Sequence, residues 1–141
     1  MNCVLLAALL TLVSGQQAQL TNAYVRIRQT SEKESRTPAQ QKIDSQLLYA
    51  IYQMRGEAKM KGIPSEPIML RKDKKGRVLV DIRSVIGPRL LSLVKKSGGT
   101  VLSKSQKDHS LIAFLPLGEL ERIARLKEVE FISQPSEAIT H

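Results

Sequence analysis

RVLVDIR (Arg77–Arg83), PRLLSLVKKSGG (Pro88–Gly99), TVLS (Thr100–Ser103), SLIAFL (Ser110–Leu115), PLGELERIA (Pro116–Ala124) and EVEFI (Glu128–Ile132) follow one another in the last part of the chain, and their order decides the fold. The first is rich in β-branched residues with partial alternation, which reads as a strand. Pro88 stands at the first position of a helix, and Gly98-Gly99 stop it. Thr100–Ser103 reads as a short second strand, Lys104 to Asp108 as a polar turn, and the almost continuously apolar Ser110–Leu115 as a third strand. Pro116 starts a second helix with Leu117, Leu120, Ile123 and Ala124 on one face, and Glu128–Ile132 closes the series as a fourth strand.

Two helices at equal sequence intervals, each a crossover between strands, place both on the same face of one sheet. The expected fold is therefore α+β: a ferredoxin-like βαββαβ sandwich over residues 77–134, with a four-stranded antiparallel sheet and two helices on one face. Residues 135–141 follow as an extended tail.

Upstream, Thr37-Pro38-Ala39-Gln40 combines a cap residue, proline at the first helical position and glutamine three residues after the cap. Ile43, Leu47, Ile51, Met54 and Ala58 recur at spacings of three and four, widened by Leu48 and Tyr52. Gly62 and Pro64 end the pattern, so the sequence predicts a separate amphipathic helix over 37–62. Residues 63–76 read as a basic linker with two prolines. Residues 19–36, polar and without periodicity, read as disordered.

Val4 to Val13 is an apolar run of ten, followed by small residues at Ser14, Gly15 and Ala18. It is too short for a membrane span, which needs roughly 20 apolar residues. Residues 1–18 read as a cleaved signal peptide, although no Lys or Arg precedes the run. Its removal takes Cys3, the sole cysteine, and leaves a secreted or periplasmic chain without disulfides and without a membrane anchor.

The 141 residues allow one modest core plus an appendage, built from Leu, Ile and Val because there is no Trp and only three Tyr and two Phe. The formal net charge is +9, with the excess concentrated in Arg26–Arg36 and Arg71–Lys75, which read as solvated connections. No catalytic constellation is present. His109 beside Asp108 and the terminal His141 have no neighbours at zinc-ligand spacing and no nucleophile in an elbow motif. The expectation is a non-enzyme with no cofactor. An RNA recognition motif uses the same strand order but stacks bases on aromatics of its central strands. The first strand here has no aromatic, so no nucleic-acid partner is expected; a basic nucleic-acid binder ranks last among the alternatives.

With both helices on one face, the other face of the sheet should be polar. Yet Val78, Val80 and Ile82 alternate with Leu79, and Leu111, Ala113 and Leu115 alternate with Ile112 and Phe114. An open apolar face marks a partner surface unless the chain covers it with its own helix from Thr37. The expected partner contacts are Leu79, Leu111, Ala113 and Leu115.

Gly98-Gly99-Thr100-Val101, Leu111-Ile112-Ala113-Phe114-Leu115-Pro116-Leu117, Leu120-Glu121-Arg122-Ile123-Ala124 and Val129-Glu130-Phe131-Ile132, in this order, resemble the N-terminal propeptide of bacterial subtilisin-like serine peptidases (subtilases). Lys42-Ile43-Asp44-Ser45-Gln46-Leu47 resembles the start seen before such prodomains. The resemblance covers about Lys42 to His141 and does not include a catalytic domain. It implies an intramolecular chaperone and temporary inhibitor whose open sheet face packs on a subtilisin-like protease domain, supplied in cis by a longer gene product or in trans. It further implies that the tail, Ser136, Glu137, Ala138, Ile139, Thr140 and His141, lies in the substrate cleft. Acidic residues after the fourth strand cap helices of the protease in that family; Ser133 is the capping candidate here. The alternative from another class is a secreted interaction module with no protease partner.

Overall fold

A computed structural model of the chain describes residues 17–24, 26 and 31–136. Its elements run α1 (Pro38–Gln41), α2 (Ser45–Met54), β1 (Val78–Ser84), α3 (Pro88–Lys96), β2 (Thr100–Ser105), β3 (Ser110–Leu115), a 3-10 turn (Leu117–Glu119), α4 (Leu120–Ala124) and β4 (Val129–Ser133). The fold is α+β with one four-stranded antiparallel sheet, in the non-sequential order β2-β3-β1-β4. The two most apolar strands, β1 and β3, are central, as burial of their side chains requires.

The register explains the core. Val78, Val80 and Ile82 of β1 stand opposite Leu115, Ala113 and Leu111 of β3. Residues directly opposite in an antiparallel pair share a face. All six are buried in one cluster with Leu90 and Val94 of α3 and Leu120, Ile123 and Ala124 of α4. Leu111, Ala113 and Leu115 are therefore not on the open face with Leu79, as expected from the sequence, but on the covered one. A slip of one residue would exchange the faces, and the observed register brings the two most apolar sets together under the helices.

The C-terminal end of α3 shows why glycine is needed. Gly98 adopts φ +79°, the left-handed conformation that closes a helix without steric cost. Gly99 has no room for a side chain: a Cβ there would lie 2.6 Å from Leu115 Cδ2 and 2.8 Å from the Val94 carbonyl oxygen.

The segment from Thr37 is not one helix over 37–62. The capping box forms as expected: Gln40 N–H donates to Thr37 Oγ1, and Thr37 N–H to Gln40 Oε1. But α1 stops at Gln41, because the backbone turns out to pair with β4. Ile132 N–H donates to the Lys42 carbonyl at 2.7 Å, and Asp44 N–H to the Ile132 carbonyl at 2.8 Å, a parallel bridge centred on Ile43. Asp44 then recaps the chain by accepting from Gln46 N–H, and α2 begins. It ends at Met54 rather than near Gly62, since Gly56 takes φ +75° and Glu57 N–H closes on the Tyr52 carbonyl.

Within 19–36, expected to be disordered, residues 19–24 and 31–34 are helical. Residues 63–76 are more than a linker: Ile63 joins the core, and the chain at Lys72 bridges Val78 across a turn at 73–76. Residues 1–16 of the expected signal peptide and residues 137–141 of the expected tail lie outside the described residues.

Candidate interaction surface

Alternation along the central strands sends every second side chain away from the helices. On that side Leu79 stands opposite Phe114, Asp81 opposite Ile112 and Arg83 opposite both Ser110 and Phe131. Leu79 is buried, Ile112 and Phe114 are half-buried, and Phe131 is 40 % exposed. Phe114, Ile112 and Phe131 are the residues that the sequence reading left out. The register decides it: pairing the apolar set of β1 with that of β3 leaves Leu79 facing Phe114, and the β1–β4 pairing sets Phe131 opposite Arg83.

The face is mixed, not uniformly apolar. The Arg77 guanidinium lies 6.0 Å from the centre of the Phe114 ring, a cation–π contact, and its Nη1 donates to Gly98 O and Thr100 Oγ1. Its Nε and Nη2 hold Asp73. Ser110 Oγ donates to Asp81 Oδ1 at 2.7 Å. Arg83 is exposed next to Phe131. The charged groups nearest the centre are thus satisfied within the sheet, leaving the aromatic carbon surface as the part that water must solvate.

What covers the other face matters equally. Leu47, Leu48, Ile51 and Tyr52 of α2 are buried in the same cluster as the helix-facing residues of the sheet, and α1 and α2 contact α4 and the 3-10 turn. Helices α1 and α2 extend the helical layer and do not fold over Leu79 and Phe114. They are anchored there by Glu121, which accepts from Gln40 Nε2 at 2.8 Å and from Arg55 Nη1 and Nη2 at 3.2 and 2.9 Å. Burial pushes the Glu121 carboxyl up, but these bonds outweigh it and hold the group below the ordinary glutamate value.

The sheet edges differ. Ile43 occupies the outer side of β4, whereas Thr100–Lys104 of β2 is exposed and carries a bulge between Val101 and Ser103. A bulge and a lysine are common protections of an edge strand.

The remaining expected site residues fall as follows. Ser133 is half-buried, opposite Asp81 at the end of β4. Gln134 Nε2 donates to Gln46 Oε1, and Pro135 is buried, so the chain is held beside the start of α2 until Ser136, which is exposed. Glu137, Ala138, Ile139, Thr140 and His141 lie outside the described residues. His109 is exposed in the β2–β3 turn with φ +52°.

Among the described residues no group of three or more His, Cys, Asp or Glu side chains is placed to hold a metal ion, and no helix is long and apolar enough to cross a membrane. Comparison of the chain with protein-family models, curated proteins and solved structures finds no match.

Proposed function

We propose that residues 77–134 form a ferredoxin-like βαββαβ domain of the subtilase-propeptide type, which binds a subtilisin-like serine protease through its open sheet face. The observation that carries this reading is the placement of Leu79, Ile112, Phe114 and Phe131 opposite both crossover helices and opposite α1 and α2. Aromatic side chains in a partly desolvated patch, rimmed by a free-standing arginine such as Arg83, are the usual anchors of protein interfaces. The interface is of ordinary size, roughly 1,600 Å² in total.

The tail from Ser136 to His141 enters the substrate cleft and adds an extended strand through main-chain hydrogen bonds. Occupation of the cleft blocks substrate. Ser133, at the end of β4, offers its hydroxyl to a helix N-terminus of the protease. Chaperone action follows from the same contact, because a ligand that binds only the folded protease stabilises it by mass action. The apolar run Val4–Val13 supports export, which places the protein where such proteases act.

The test is inhibition of a subtilisin-like protease by the purified chain, compared with a chain ending at Pro135 and with Phe131→Glu. Inhibition at sub-micromolar concentration is expected. Loss of the tail weakens it about a hundredfold, and Phe131→Glu by at least about tenfold without loss of folding, as for the removal of a single interface anchor. No inhibition by the full chain at micromolar concentration removes the protease and leaves a secreted interaction module with a different partner.

A further inference from the structure

A groove of about 470 Å³ runs between the end of α2 and the basic turn that precedes β1. Met54, Ile68, Leu70 and Leu117 supply much of its apolar lining, and Lys72, Lys75 and Arg77 line it as well. There is no Asp or Glu in the lining. We propose that this groove is a binding site for an amphiphilic carboxylate, a single medium-length acyl chain with its headgroup between Lys72 and Lys75.

The charge arrangement selects this occupant. Asp73 is the acidic residue of the turn, and it is fully engaged: its Oδ2 holds Arg77 Nε and Nη2 at 2.8 and 2.6 Å, and its Oδ1 accepts from Lys75 N–H and Arg77 N–H. Ion pairs join Arg36 to Glu32, Arg55 to Glu121, Arg77 to Asp73 and Arg122 to Glu119, and Lys72 and Lys75 take part in none of these. Two lysines without a carboxylate partner therefore line a largely apolar groove. An ammonium acts as a point charge that a carboxylate headgroup satisfies without demanding a fixed fork geometry.

The walls are pre-formed. Gln53 Nε2 donates to Pro64 O and Glu66 O at 2.9 and 2.8 Å, fixing the loop that carries Ile68 and Leu70. The Lys72–Val78 bridge and the Asp73–Arg77 pair fix the opposite wall. Met54, 56 % exposed at the end of α2, is an unbranched side chain that adapts to an alkyl chain. The volume lies in the ordinary range for small-molecule sites, roughly 300–1,000 Å³. The site is independent of the protease reading, since Arg77 alone belongs to both surfaces.

The experiment uses the full chain with methyl-13C methionine, titrated with decanoate in monomeric form and observed by NMR. The Met54 methyl resonance is expected to move saturably, while that of Met60, 80 % exposed and outside the groove, stays in place. Decyltrimethylammonium, with the same chain and opposite charge, leaves Met54 unmoved. Lys72→Glu/Lys75→Glu, two exposed positions, keeps the fold and weakens decanoate about tenfold, in line with the loss of two exposed charge contacts. An equal response to the cationic amphiphile, an unchanged affinity in the double variant, or no saturable shift at Met54 overturns the proposal. So does a hexaglutamate peptide that binds as well as decanoate, which would make the site one for polyanions.

Discussion

The Tyr52 hydroxyl donates a hydrogen bond of 3.1 Å to Glu32 Oε1, joining the last turn of α2 to a carboxylate twenty residues upstream. Glu32 is 3 % exposed, and its two oxygens also take Arg36 Nε and Nη2 at 2.8 and 3.0 Å. Arg36 in turn donates to Ser45 Oγ and lies 5.7 Å from the Tyr49 ring centre. A buried carboxylate is tolerated because each of its partners is in place. This clasp holds the helical stretch 31–34 on α2, where the sequence alone suggested a structureless lead-in.

Removing one member of the clasp exposes its cost. Glu32→Ala leaves Arg36 and the Tyr52 hydroxyl without their acceptor and is expected to cost about 2–3 kcal/mol. Tyr52→Phe loses one hydrogen bond, about 1 kcal/mol. Urea unfolding measures both, and the double variant costs less than the sum because the residues share one interaction.

The same pair sets behaviour in alkali. Burial first, and the Glu32 carboxylate second, raise the ionisation of Tyr52 above the ordinary tyrosine value. A folded-state value above the unfolded one means that the neutral phenol stabilises the fold, fully below about pH 10, and that this contribution is lost as pH rises beyond it. Stability is expected to fall above about pH 10, and Tyr52→Phe removes that part of the slope. Thermal melts between pH 8 and 11 read it directly.

Acid acts through Glu121. Its folded-state value is depressed by Arg55 and Gln40, so its contribution is present above the unfolded value, near pH 4.3, and is lost as pH falls through the folded one. Glu121→Gln is expected to lower stability at pH 7 by about 1 kcal/mol and to flatten the decline below pH 4.5. Unfolding curves from pH 7 down to pH 3 provide the check.

Gly99→Ala probes the closeness of α3 to β3. The added methyl meets Leu115 and the Val94 backbone inside 3 Å. Overpacking of this kind costs about 1–3 kcal/mol, and the melting temperature is expected to drop accordingly. An unchanged melting temperature contradicts the packing described.

The two sheet faces separate in a paired measurement. Leu111→Ala removes a fully buried side chain and is expected to cost about 2–5 kcal/mol. Phe131→Ala, at a 40 % exposed position, is expected to cost far less, under about 1.5 kcal/mol. Equal losses contradict the placement of Leu111 on the covered face and Phe131 on the open one.

Much of the architecture is legible in the sequence. Ser110–Leu115 forms the third strand with the limits read from its pattern, and Pro88 opens α3 as its position predicts. Helix starts carry local chemistry, such as the Thr37–Gln40 box, and local chemistry needs no knowledge of the rest of the chain. The helix end was misplaced for the complementary reason. Ile43, read as a helical apolar position, is diverted by hydrogen bonds to Ile132, eighty-nine residues away in the sequence. No local pattern contains that partner.

The surface follows the same division. Alternation along β1 and β3 determined by itself that each strand has an apolar set and a second, partly apolar one. Which sets coincide depends on a register between strands, and periodicity within one strand is blind to a slip of its neighbour. Tertiary structure therefore decided that Phe114 and Phe131, not Leu111 and Leu115, face away from the helices, and that α2 packs on the helical side. Local order follows from residues near in sequence; the choice of face is a cooperative outcome of burying the largest apolar sets together.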